Sequence, residues 1–168
     1  RQKLTGLIAA ECIENKGRFM DEIVNGLWLL AEETSWCLPA HIGMQKAGTG
    51  LPDDTEPIVD LFAAETGALV AWAIYLFGKR LDAVSPQVLP RLRREVVRRI
   101  LVPCRTRDDF WWMGLRGGAV NNWNPWIVSN WLACTLLLET DEAVRTADVA
   151  KAVRCLDAFV GPYPADGG

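Results

Sequence analysis

Helix-patterned stretches in this chain are joined by connections that alternate between short and long, and that alternation limits the fold more than any other feature. The first stretch, residues 2–15 (QKLTGLIAAECIEN), carries Leu4, Leu7, Ile8, Ala10, Cys12 and Ile13 near helical spacing, with Gly17 as its stop. A second helix is expected from about Phe19 to about Glu33. After the irregular segment TSWCLPAHIGMQKAGTGLPDDTE, Pro57 opens a third helix behind the capping candidates Asp54 and Thr55. Its sequence, IVDLFAAETGALVAWAIYLFG, is apolar on most faces, so it should be deeply buried, and Gly78 ends it. Ser85-Pro86 starts a fourth helix, whose RLRREVVRRIL run has a basic face, read as solvated, and an aliphatic face; Pro103 ends it. The segment CRTRDDFWWMGLRGGAVNN follows as a second long loop. Asn124-Pro125 then opens a fifth helix, with Asn124 as its cap, and a turn at Thr140-Asp141 leads to a last helix ending near Gly161.

The joins near Gly17, Gly78 and Thr140 are short, whereas the other two are roughly 20 residues each, well beyond the usual helix-to-helix range. Antiparallel hairpins set side by side would put every short turn at one end and every long loop at the other. Long loops of this kind usually carry function. His41, Trp111, Trp112, Asn121, Asn122 and Tyr163 should therefore share one face. Helix starts at about 2, 57 and 124 give a loose repeat of three hairpins. The expected fold class is all-α: antiparallel helix hairpins forming part of an (α/α) toroid, with residues 1–168 as one incomplete helical domain. A plain helical bundle is the alternative.

Composition narrows the partners. The 168 residues suffice for one domain with a core. A net charge of −3 gives no reason to expect nucleic acid or an acidic membrane, and no apolar run looks long enough to span a bilayer. No signal peptide is visible; the chain opens at Arg1 without Met and reads as a piece of a longer one, which leaves the compartment open. The five cysteines have no CxxC spacing, and Cys12, Cys134 and Cys155 sit in helical patterns, as buried reduced thiols do. A single histidine with no acidic cluster beside it gives neither a metal site nor a cofactor site.

AVNNWNPWIVSNW, residues 119–131, concentrates asparagine and tryptophan at one spot. Asn121 and Asn122 either form a turn or offer amide donors to a carboxylate at a helix start. Trp123 and Trp126 either pack as core or present flat faces to a sugar ring. The same two readings apply to Trp36, Trp111 and Trp112; of the last pair, one is expected in the core and the other at a cleft. Arg116, flanked by glycines on one side in LRGGA, either binds a carboxylate or sulfate or pairs with Asp108 or Asp109. His41 is either structural or a general acid or base.

NNWNPWI, with YPADGG about 40 residues later and ETSWCLPAH in the preceding long loop, resembles the heparinase II/III-like family of polysaccharide lyases and lyase-like proteins. The resemblance implies part of the helical toroid domain, usually followed in the family by a β-sandwich domain. It implies β-elimination on an acidic, uronic-acid polysaccharide: a base removes the proton beside the carboxylate, and preorganised donors stabilise the charge that develops there. Asn122 matches the family's neutralising Asn, with His41 assisting in proton transfer or binding. Trp123 stands where the lyases often have His, and the family's usual Tyr lies beyond the DGG segment. Trp36, Trp111, Trp112, Arg116, Asn121, Trp123 and Trp126 are then the candidate substrate contacts. Two other functions stay open: a non-catalytic carbohydrate-binding or structural toroid, and an α/α toroid glycoside hydrolase, which needs two carboxylates across a cleft.

Overall fold

The computed structural model describes residues 1–164 and Asp166, and among them it is helical with no strand. Ala165, Gly167 and Gly168, and with them much of the YPADGG motif, lie outside the described residues. The helices are α1 (Gln2–Glu14), α2 (Met20–Glu32), α3 (Leu61–Val84), α4 (Val88–Val96), α5 (Val102–Thr106), α6 (Trp123–Leu138) and α7 (Glu142–Val160). α1 packs on α2, α3 on α4, and α6 on α7. α3 also packs on α1 and α6, and α2 on α4, so the three hairpins stand side by side.

The short joins gather at one end. Arg80, near the end of α3, pairs with Glu11 at 2.7 Å and donates to the Asn15 side chain after α1. Arg93 of α4 donates to the Leu138 carbonyl at the end of α6. The long loops meet at the opposite end: Arg107 donates to the Met44 carbonyl, and Trp112 Nε1 to the Val59 carbonyl at 2.9 Å.

Several boundaries differ from the sequence reading. α3 begins at Leu61 rather than Pro57, because the side chain that caps it is Asp60, whose Oδ1 accepts the Ala63 N–H at 2.8 Å. Thr55, expected as a cap, instead lies in a local turn, its N–H and hydroxyl donating to Asp53 Oδ1. Gly78 lies inside α3, which runs on to Val84. Pro103 does not end the fourth helical stretch. A π-helical turn, Val97–Leu101, joins α4 to α5, and Pro103 falls in the first turn of α5. The wider turn loosens the spacing ahead of a ring that would clash with the carbonyl four residues earlier.

The basic residues of this stretch are not simply a solvated face. Arg91 donates to the Ala31 carbonyl, and Arg99 to those of Glu33 and Thr34, so both satisfy oxygens at the end of α2. Arg99 is buried, stacks over Trp36 and pairs with Glu95 at 2.8 Å. Cys37, Cys104, Cys134 and Cys155 are buried free thiols, but Cys12 faces outward on α1.

α3 is long and apolar enough to cross a membrane by length and composition, which corrects the reading that no such run exists. Here it occupies the centre of the packing, against α1, α2, α4 and α6.

Candidate functional site

Asp60 anchors the loop-rich end. Its carboxylate is fully buried, and beyond capping α3 it accepts the Leu38 N–H on Oδ2 at 3.2 Å. The same Oδ2 lies 2.6 Å from His41 Nδ1. His41 sits on a 3-10 turn, Pro39–Met44, with about a quarter of its side chain exposed (23%), enough to reach solvent. Its ring centroid is 4.7 Å from that of Trp123 and 6.2 Å from that of Phe62, the second residue of α3. Trp123 in turn packs on Trp111 at 5.1 Å. Phe62, His41, Trp123 and Trp111 thus form a row of rings joining the two long loops, and Phe62 and Trp111 are exposed.

Asn121 and Asn122 flank this row at the start of α6. Asn121 Oδ1 accepts the Trp123 N–H at 2.9 Å, an Asx turn. Asn122 occupies the cap position, yet its side chain makes no capping bond, is exposed, and has no hydrogen-bond partner among the described residues. Asn124, expected as the cap, is wholly buried: its Nδ2 donates to the carbonyls of Trp112 and Cys155. It ties the second long loop to α7.

Other expected contacts lie elsewhere. Trp36 and Trp112 are core residues rather than substrate contacts; each buries its ring and satisfies its indole N–H on a backbone carbonyl, Leu30 for Trp36 and Val59 for Trp112. Of the neighbouring pair, Trp111 is therefore the surface residue. Trp126 is exposed on α6. Tyr163 packs on Phe159 at 5.2 Å. Arg116 is exposed and forms no close ion pair among the described residues, although its charge contributes to lowering both Asp108 and Asp109. Asp109 pairs with Arg107 at 2.7 Å, and Asp108 with Lys151 at 2.7 Å. Hydrogen bonding from Arg107 holds the Asp109 carboxyl down at about 2, and Lys151 lowers that of Asp108.

Cys37, beside Asp60, is not an activated nucleophile. Burial, then the Asp60 charge and hydrogen bond, push its thiol well above the ordinary range. No group of His, Cys, Asp and Glu suited to hold a metal occurs among the described residues. A large cleft of about 690 Å³ opens between Gln45–Pro57 and α5, lined by Lys46, Glu56, Arg98 and Arg107, and the ring row is not part of its wall. Its charges are mixed and largely paired, Arg107 with Glu56 and Asp109, and Arg98 with Glu95.

Sequence reasoning missed Asp60 and Phe62, because starting the third helix at Pro57 put both inside it. The signal was present: an Asp three residues ahead of an Ala-rich apolar run is a cap pattern in its own right. The chain matches no known family model and no curated protein.

Proposed function

We propose that this protein binds a uronic-acid-containing polysaccharide along the Phe62–His41–Trp123–Trp111 row and cleaves it by β-elimination. The supporting observation is the exposed amide of Asn122, without a hydrogen-bond partner among the described residues, next to Trp123, whose ring lies 4.7 Å from the His41 imidazole. Sugar rings stack on exposed aromatic faces, and an amide with no internal partner donates to the substrate carboxylate. His41 takes the proton from the carbon beside that carboxylate. The C–H electron pair forms the new double bond, the glycosidic C–O bond breaks with its pair on oxygen, and the imidazolium returns the proton to that oxygen. The resemblance of NNWNPWI and ETSWCLPAH to the heparinase II/III-like lyases supports this reading, and with it the proposal that the hairpins belong to an α/α toroid.

The glycoside hydrolase reading fares worse. Asp108 and Asp109 are ion-paired and held in the charged form, and such an enzyme needs a protonated carboxyl. Non-catalytic carbohydrate binding is the second reading, favoured by Trp123 standing where the lyases often have His.

Incubation with a panel of uronic-acid polysaccharides, followed by the ultraviolet absorbance of the unsaturated product, tests the proposal. The expected result is a rise that Asn122→Ala and His41→Ala both abolish. Binding without any rise moves the assignment to the carbohydrate-binding reading; neither binding nor a rise refutes both.

A further inference from the structure

We infer that Asp60 is a positioning residue for His41, fixing the imidazole as the Nδ1–H tautomer so that Nε2 presents its lone pair to the substrate. The role in proton transfer rests on the reading of function above; the tautomer does not. Asp60 Oδ1 is occupied by the Ala63 N–H and Oδ2 by the Leu38 N–H, so both oxygens already act as acceptors. The hydrogen in the 2.6 Å contact between Oδ2 and His41 Nδ1 therefore sits on nitrogen. In the neutral ring the other nitrogen is then an acceptor, which is what a base requires. Nε2 has no hydrogen-bond partner among the described residues, and the imidazole reaches solvent.

The anchor is rigid. Asp60 is held from two directions by backbone donors, one on each side of the loop that carries His41. Trp123 and Phe62 pack near the imidazole and limit its rotation. A buried carboxylate, an oriented imidazole and an outward Nε2 repeat the logic by which a histidine base is held in other enzymes, where replacing the carboxylate by an amide leaves the geometry in place but inverts the tautomer.

His41 is the sole histidine, so its ring nitrogens can be read without ambiguity in the ¹⁵N-labelled protein. Long-range ¹H–¹⁵N correlations at a pH where the ring is neutral should show Nδ1 protonated and Nε2 bare. An Nε2–H ring in the unaltered protein overturns the inference, whether or not any substrate is cleaved. Asp60→Asn keeps a side chain able to cap α3 and should shift the ring towards Nε2–H. On a substrate that is cleaved, it should lower kcat by about 10²–10⁴-fold with KM within about twofold. An unchanged kcat would overturn the positioning role. Should Asp60→Asn fail to fold, the tautomer of the unaltered protein still decides. Absence of elimination with an Nδ1–H ring would refute the lyase reading and the positioning role in it, leaving the tautomer assignment intact.

Discussion

Asn124 Nδ2 on α6 lies 2.7 Å from the Cys155 carbonyl oxygen on α7, and the same nitrogen reaches the Trp112 carbonyl at 2.8 Å. One amide thus fixes the loop carrying Trp111 against the last hairpin. Asn124→Ala should strand the buried Trp112 carbonyl, while the Cys155 carbonyl keeps its bond within α7, and cost about 1–3 kcal/mol for the one unsatisfied group. Urea denaturation measures it. A loss below about 0.5 kcal/mol, the level of an ordinary surface change, would show that the clasp is unimportant.

Arg99 joins three things: the open carbonyls at the end of α2, the Trp36 ring and Glu95. Arg99→Met keeps much of the apolar stem but removes the donors. A loss of about 3 kcal/mol is expected, the low end for breaking a buried pair, since Glu95 retains Arg91 and Arg98. Thermal unfolding would report it, and an unchanged midpoint would mean that α2 does not need this cap.

Gly67 allows close packing in the middle of α3. A Cβ there would stand 2.6 Å from Ile100 Cγ1 and 3.2 Å from Cys134 Sγ. Replacing a helical glycine by alanine ordinarily gains about 1 kcal/mol. At this position overpacking costs about 1–3 kcal/mol and should reverse the sign. A more stable Gly67→Ala protein would show that α3, the π turn and α6 are less tightly packed than they stand here.

Acid should weaken the fold in a defined window. Asp109 is held at about 2, against an ordinary 3.8, chiefly by hydrogen bonds from Arg107. Glu139 is lowered by the Asp141 N–H and then Arg105; Glu11 is lowered because the Gly17 and Phe19 N–H groups and Arg80 outweigh its burial. A carboxyl with a depressed folded pKa stabilises fully above its unfolded value and loses that contribution as pH falls through the folded one. The urea midpoint should therefore be nearly flat above about pH 5 and fall between about pH 4 and pH 2. Asp109→Asn should make that fall shallower. A flat midpoint down to pH 2 would contradict the assignment.

Helix pairing was legible in the sequence because short turns and long loops leave plain punctuation: Gly17, Ser85-Pro86 and Thr140-Asp141 all fall between the helices of a hairpin. Boundaries set by tertiary contacts were not legible. Asn124-Pro125 looks like a cap and first turn, but the pull of the Trp112 and Cys155 carbonyls draws Asn124 inward, and the helix starts two residues earlier, at Trp123 behind Asn122. Pro103 looks like a stop until a π turn accommodates it. At the site, His41, Asn122, Trp111 and Trp123 were visible as residue types in long loops. Their adjacency through ring contacts, and the Asp60 carboxylate behind His41, depend on how two loops distant in sequence meet, as Trp112 and Val59 do across 53 residues, and no local pattern encodes that.

The most direct test follows the His41 ring resonances while a uronic-acid oligosaccharide is titrated into the protein, with a neutral oligosaccharide of equal length as the control. Saturable shifts of His41 and of the Trp123 and Trp111 indole signals are expected with the acidic sugar, weakened at least tenfold by Asn122→Ala. Shifts confined to residues lining the Lys46–Arg107 cleft, or none at any concentration, would contradict the claim that this ring row is a carbohydrate site.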